Sequence, residues 1–516
     1  MKSITRLRSA LCLPLVGLLM VTLAPSGHTA MLAPASLRVS PGSGYVGGQA
    51  LTFEGNIGKS GRNRISLQFH MNRPGDSWVR VAGFSDRTAG NGDFRFEHPA
   101  PSNFGTSFRV VSGRAATPRW TFEAKSQDLT VEVVGGEAVA DEPFELRVDT
   151  TPTLRRRPDT IGLQPFPGRE LTLQARIDGD SWRTLDTTQV KGDGLGFFTV
   201  TEADPGTVVY RVRQEDWTVG ASDIGWFPSF PLYVDVRDPR DSTQAAPTSA
   251  LTEQALACSP EPGVPHAAAA TASTVNRWAP SLFDFAWFYG ESLTSPPYRG
   301  TKRKGMWVDY ADGGGRVTKQ NGGLMLDSKR ENDCGAGDFG TTRATLQGNP
   351  MTYGRWEVRL RLKSHETNAR DYRTLVELVP ERESDYACGA RNITVADMRP
   401  RGSTIKFGAN SRSKQWNGSK STGGSINNQS QVLAVEVTRR HVSWFLSGKV
   451  IGTVRNRAVS SDVPMTLRFS MVGAGEQEMN ATQLISDWQR GFTLSRGKQV
   501  RSGKALKRSS YSPPSC

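Results

Sequence analysis

YGRWEVRLRLK, residues 353–363, alternates without a break. Trp356, Val358, Leu360 and Leu362 fall on one side, and Arg355, Glu357, Arg359 and Arg361 on the other. A period of two sends successive side chains to opposite faces of an extended chain, so this is a long strand with its apolar face in a core. Residues 432–454, VLAVEVTRRHVSWFLSGKVIGTV, add three more strands, separated by a turn at 439–440 and a hairpin at 447–448. Strands with one apolar face need a second sheet to cover them. The expected fold for this part of the chain is a two-sheet sandwich of jelly-roll type.

The rest of the chain is β-rich too. Its 516 residues suit about three domains. Short apolar runs between 53 Gly and 30 Pro favour strands and loops over helices. Two stretches in the first half resemble each other. ISLQFHMNRPGDSWVRVAGFSDRTAGNGDFRFEHPAP followed by FRVVSG matches LTLQARIDGDSWRTLDTTQVKGDGLGFFTVTEADPGT followed by YRVRQ. Leu67, Trp78, Phe94 and Phe108 correspond in order to Leu173, Trp182, Phe198 and Tyr210, which is an internal duplication. Each copy reads as a small antiparallel sandwich, and the string PGRELTLQARIDGDSWRTL resembles bacterial immunoglobulin-like modules. Trp78 and Trp182 could bind sugar, but at a repeated strand position they are expected in the two cores, since large aromatics mostly supply buried area.

The expected layout is therefore all-β. A signal peptide occupies 1–30, immunoglobulin-like modules 36–134 and 135–238, a linker rich in Ala, Pro, Ser and Thr 239–277, the larger sandwich 278–495, and a basic tail 496–516. The signal peptide is read from Lys2, Arg6 and Arg8, an apolar run from Ala10 to Ala24, and small residues ending near Ala30. It implies export, to the medium or to the cell wall. Cys12 would leave with it. Cys258, Cys334, Cys388 and Cys516 remain, and two disulfides suit an oxidising compartment. Three pairings are open, with Cys334–Cys388 and Cys258–Cys516 the expected one. No close cysteine pair suggests zinc, and neither a cofactor nor a metal is expected.

YGRWEVRLRLK, LAVEVTRRHVSWFLSGKVI and the closing ISDWQRGFTL resemble segments of glycoside hydrolase family 16, over roughly Phe283 to Leu494. The resemblance implies a concanavalin-like jelly roll whose concave sheet cradles an extended β-linked polysaccharide, a glucan or galactan. In that family one strand with the pattern Glu-Ile-Asp-Ile-x-Glu carries the nucleophile, a supporting acid and the acid/base. A retaining glycosidase needs two carboxyls about 5 to 5.5 Å apart, one ionised and one protonated. A one-residue bulge keeps the last position on the same face as the others.

Laid on this chain, the pattern falls on Asn392, Thr394 and Asp397. An amide cannot carry a covalent glycosyl intermediate, and Thr394 cannot tune a neighbour's charge. Where the family has an Ala-Phe-Trp-Leu-Leu-Pro strand, this chain has LVELVPE, which puts Glu377 at the platform position and in the same groove as Asp397. The alternative for Glu377 is an ordinary pairing with one of the many arginines, such as Arg373 or Arg391. Trp416, in SRSKQWNGSKSTGGS, is the aromatic expected in a polar loop, able to stack on a sugar ring or simply to cap the sandwich edge.

These residues support a polysaccharide-binding protein that has lost the standard catalytic carboxylates. Asn392, Thr394 and Trp416 would be its ligand contacts. Two alternatives stand beside it: a divergent hydrolase acting through Asp397 and Glu377, and a structural cell-wall adhesin. The charge balance, 64 Lys and Arg against 50 Asp and Glu, is partly local, because the segment after Leu494 contains no acid. A basic tail suits an anionic cell-wall polymer. No nucleic-acid motif accompanies the charge, and no later segment is long and apolar enough to span a membrane.

Overall fold

The computed structural model describes residues 33–240 and 270–512, apart from 41–45, 73–76, 103–104, 123–124, 128, 152, 155–164, 178–180, 286, 288–292, 294–304, 321, 329–338, 366–368, 383–390, 412, 456–458, 460–461 and 503. The expected signal peptide, most of the linker, and Cys12, Cys258, Cys334, Cys388 and Cys516 lie outside the described residues. No helix among the described residues is long and apolar enough to cross a membrane.

Strands dominate. In the first half the duplication is visible as two ladders of the same plan. Ser36–Ser40, Ala50–Asn56 and Asp93–Pro99 form one sheet of the first copy. Arg64–His70 and Ser107–Ser112 centre the other. In the second copy Thr130–Val134, Pro143–Asp149 and Leu195–Thr201 repeat the first sheet. Ser181–Gln189, Glu170–Ile177, Gly206–Gln214 and Leu232–Val236 repeat and extend the second. Thr130–Val134 thus pairs within the second sandwich, ahead of the boundary expected at 134/135. Leu67, Phe94 and Phe108 are buried in one core, Leu173, Phe198 and Tyr210 in the other.

The two tryptophans depart from expectation. Trp78 and Trp182 are only half-buried and belong to neither core. Each lies beneath an arginine on the outer face of its sheet: Arg109 sits 4.1 Å from the Trp78 ring centroid and Arg211 4.3 Å from that of Trp182. The repeated Trp is preserved here by a cation–π stack and not by core packing.

The larger sandwich has two eight-stranded antiparallel sheets. One runs Arg316–Gln320, Gly323–Asp327, Thr482–Phe492, Gly354–Ser364, Ser430–Val437, Val442–Leu446, Lys449–Val454, with Ser281–Phe285 also pairing with Thr482–Phe492. The other runs Met306–Ala311, Thr341–Gln347, Met465–Val472, Arg373–Pro380, Ile393–Met398, Thr404–Asn410, Lys414–Ser421, Lys507–Ser510. Trp356, Val358, Leu360 and Leu362 meet Val376, Leu378, Leu467 and Phe469 in the core between them. Each such side chain contributes about 1.5–3 kcal/mol by leaving water. The hairpin at 447–448 has φ of 47° at Ser447 and 76° at Gly448, the left-handed geometry a two-residue turn between twisted strands requires.

The charged face of Gly354–Ser364 is covered at its start. Arg355 and Glu357 are both 0% exposed. The Glu357 carboxylate accepts from the Ser273 N–H at 3.1 Å and from its hydroxyl at 2.5 Å, beside the short helix Ala272–Val275. Arg355 Nε donates to Glu436 at 2.7 Å, and its Nη1 donates to the carbonyls of Thr493 and Arg496 at 3.1 and 2.6 Å. Glu436 also accepts from the Val500 N–H at 3.2 Å and lies 3.0 Å from His441 Nε2. Much of the segment expected as a basic tail is therefore packed. It crosses this outer face, buries part of Leu506 against the core, and ends as the strand Lys507–Ser510 beside Lys414–Ser421.

The second small sandwich is fastened to the large one. Arg211 forms an ion pair with Asp309, and Arg176 donates to the carbonyls of Asp312 and Gly313 at 3.2 and 2.8 Å. Arg316 lies under Phe230, 3.7 Å from its centroid, and Trp226 joins the large core. Buried contacts of this kind fix a relative orientation that a flexible spacer lacks.

Candidate functional site

The sheet from Met306–Ala311 to Lys507–Ser510 has one face in the core, and its other face carries Glu377, Asn392, Thr394 and Asp397. Strand alternation sets this. In Arg373–Pro380, Thr374, Val376 and Leu378 are buried inward, so Arg373, Leu375 and Glu377 face outward. The neighbouring strand pairs Leu375 with Asp397, Val376 with Ala396 and Glu377 with Thr394. Val395 is thus an extra residue, a bulge that turns into the core. Thr394 and Asp397, three positions apart, come to the same face because of it.

Asn392 closes the group. Its Nδ2 lies 3.5 Å from Glu377 Oε1. The four positions expected to share a groove, Glu377, Asn392, Thr394 and Asp397, are therefore neighbours.

Charge is distributed unequally over them. Arg373 grips Asp397 with two parallel bonds, Nε to Oδ1 at 3.0 Å and Nη2 to Oδ2 at 2.9 Å. This fork geometry is the strong form of an arginine–carboxylate contact. Asp397 in turn holds the Arg373 guanidinium above its ordinary value, chiefly through that hydrogen bond. Glu377 lies among arginines, as its alternative reading expected. It stands opposite Arg468 on the next strand, and Arg343 and Arg373 are also near enough to act on it. Burial pushes its carboxyl above the usual range. The charge of Arg468, the Asn392 hydrogen bond and the other two arginines oppose that rise without cancelling it.

Chemically this is one carboxyl inclined to keep its proton and one carboxylate with both oxygens occupied. The first could donate a proton to a leaving group. The second is held in an ion pair with Arg373, and at the nucleophile position Asn392 offers an amide. Among the described residues no three His, Cys, Asp or Glu side chains gather as a metal site.

Trp416 is not where the sequence suggested. It lies in the strand Lys414–Ser421, opposite Ala409, 4% exposed and packed in the core. Its neighbours Gln415 and Asn417 face the other way, so a strand with few inward apolar residues read as a polar loop. A sugar platform on Trp416 is thereby corrected. The sequence reading passed over Arg343 and Arg468, which alternate with the inward Ala344, Leu467 and Phe469 and could have been found by that period. It also passed over Met306 and Val308 on the edge strand, 41% and 37% exposed.

No family model matches the chain, and no curated protein does. Among solved structures, a glycoside hydrolase family 16 endo-glucanase from Bacteroides ovatus is 10% identical, covering 34% of this chain and 85% of that one, with a TM-score of 0.27. An endo-β-galactosidase from Clostridium perfringens that releases GlcNAcα1-4Gal is 10% identical over 36% of this chain and 56% of that one, at 0.29. The κ-carrageenase from Zobellia galactanivorans is 11% identical over 34% and 81%, at 0.26. The likeness spans about a third of this chain and carries nothing about its chemistry.

Proposed function

We propose that this chain binds a β-linked polysaccharide, of glucan or galactan type, on the outward face around Glu377, Asn392, Thr394 and Asp397, and does not hydrolyse it by the two-carboxylate route. The observation that carries this reading is the Arg373–Asp397 fork. It occupies both oxygens of the carboxylate at the acid/base position, while the nucleophile position holds the Asn392 amide. A strand face with outward amides, hydroxyls and arginines suits hydrogen bonding to sugar hydroxyls. Export belongs to the same reading and rests on the pattern in residues 2–30. An anionic wall polymer would meet the exposed strand Lys507–Ser510 as part of a folded sheet, not a free tail.

A second reading, a divergent hydrolase, draws support from the raised Glu377 carboxyl, which suits a general acid. One experiment separates them: reducing-end release by the purified protein on β-glucans and galactans, with retention on the insoluble forms, for the parent, Asp397→Asn and Glu377→Gln. Retention without release supports binding. Release that both substitutions abolish supports the hydrolase. With neither, both readings fail and the structural adhesin remains.

A further inference from the structure

The duplication preserves more than a core. On the outer face of the first sandwich Arg109 stands opposite Gln68 and donates to its side chain at 2.9 Å, lying over Trp78. The second sandwich repeats this: Arg211 stands opposite Gln174, donates to it at 2.8 Å, and lies over Trp182. A fourth member flanks each tryptophan. It is Arg176 in the second copy, 4.9 Å from the Trp182 ring centroid. In the first it is His70, two residues beyond Gln68 as Arg176 is beyond Gln174, with ring centroids 5.2 Å apart.

In the second copy this cluster is an interface. Asp309, on the edge strand Met306–Ala311 of the large sandwich, gives its carboxylate to Arg211, and the turn after that strand gives the carbonyls of Asp312 and Gly313 to Arg176. Arg211 is 6% exposed as a result. In the first copy Arg109 is half-buried and, among the described residues, has Gln68 and Trp78 as contacts and no carboxylate.

A guanidinium held flat on an indole by a glutamine is pre-organised to take a carboxylate, since its geometry is fixed before the partner arrives. The second copy shows which partner such a face accepts: a strand edge bearing an acidic side chain, followed by a turn with exposed carbonyls. We propose that the Gln68–Trp78–Arg109 face of the first sandwich is a docking surface for an acidic strand edge of a partner protein. It uses the contact that fastens the second sandwich to the large one. Specificity comes from Arg109, which takes the carboxylate. This is independent of any glycan bound on the large sandwich.

The probe is a synthetic peptide of residues 306–315, MWVDYADGGG, the edge and turn that the second copy recognises. Line broadening of the peptide in NMR would be followed against the full chain into the millimolar range. Saturable broadening is expected, weakened at least tenfold by Asp309→Asn in the peptide and by Arg109→Gln or Arg109→Glu in the protein. The peptide substitution leaves the protein untouched, so a misfolded Arg109 variant cannot decide the result. Absent broadening, or broadening indifferent to both substitutions, overturns the proposal. Polyglucuronate binding that needs Arg109 while the peptide does not bind also overturns it, in favour of an anionic glycan at the same face.

Discussion

Glu436→Gln tests what pins the C-terminal segment. Glu436 is 0% exposed and takes three contacts: Arg355 Nε at 2.7 Å, Val500 N–H at 3.2 Å and His441 Nε2 at 3.0 Å. A glutamine keeps one acceptor oxygen, and its NH2 turns a donor toward one of those donors. Arg355, also 0% exposed, loses its counter-charge but keeps the carbonyls of Thr493 and Arg496. Removing one partner of a buried ion pair costs about 3–5 kcal/mol. The surviving carbonyl bonds place this case near the lower end, ~3 kcal/mol, about a hundredfold in the equilibrium. The assay is urea unfolding at pH 7 followed by tryptophan fluorescence, with trypsin cleavage at Arg496, Lys498 and Arg501 as a local readout. Cleavage should speed up because Glu436 holds the segment both through Val500 and through Arg355, and a glutamine can satisfy only one of them. A loss under about 1 kcal/mol with unchanged cleavage would refute the reasoning, since an exposed pair is worth no more than that.

Three further outcomes follow from the same geometry. Asp309→Asn leaves the buried Arg211 without its carboxylate and should cost about 3 kcal/mol, seen by calorimetry as a separate, lower transition for the second sandwich. Burial raises the Glu377 carboxyl above its unfolded value of 4.5, so its contribution to stability is fully present below that value and is lost as pH rises through the folded one. The parent should therefore weaken relative to Glu377→Gln as pH climbs from about 4.5, in unfolding free energies measured across that range; a flat difference would oppose the assigned burial. Trp416→Ala should lose about 3–5 kcal/mol as a core cavity. Any folded fraction of that variant should keep normal retention on a glycan, because the side chain lies inside the sandwich.

Alternation made the large sandwich legible: Trp356 to Leu362 were read as core-facing, and they are. The bulge at Val395 was legible only through the family pattern, because Asn392, Thr394 and Asp397 share a face only if one residue is skipped. Charge was the poor guide. Arg355 and Glu357 look like a wetted face in sequence, since a buried ion pair and a solvated one have the same letters. The acid-free C-terminal segment reads as a basic tail for the same reason, although Val500 and Leu506 anchor it. The Arg373 clamp on Asp397 is a cross-strand contact whose existence depends on register, and a bulge sets the register here. Trp78 and Trp182 misled in the opposite direction, because a repeated tryptophan looks like core until the arginine above it is seen.

The order in which the strands of the large sandwich pair has a consequence for its making. Ser281–Phe285, first in the chain, pairs with Thr482–Phe492, and Lys507–Ser510 completes the opposite sheet. At a translation rate of roughly 5–20 residues per second, the early strands wait on the order of ten seconds or more for their partners. The first small sandwich can close as it emerges, because its ladders join near neighbours. The second waits with Arg211 and Trp226 uncovered until Asp309 and the large core arrive. During that interval the nascent chain exposes long apolar strand faces, so the step most in need of a holding chaperone is the pairing of Ser281–Phe285 with Thr482–Phe492.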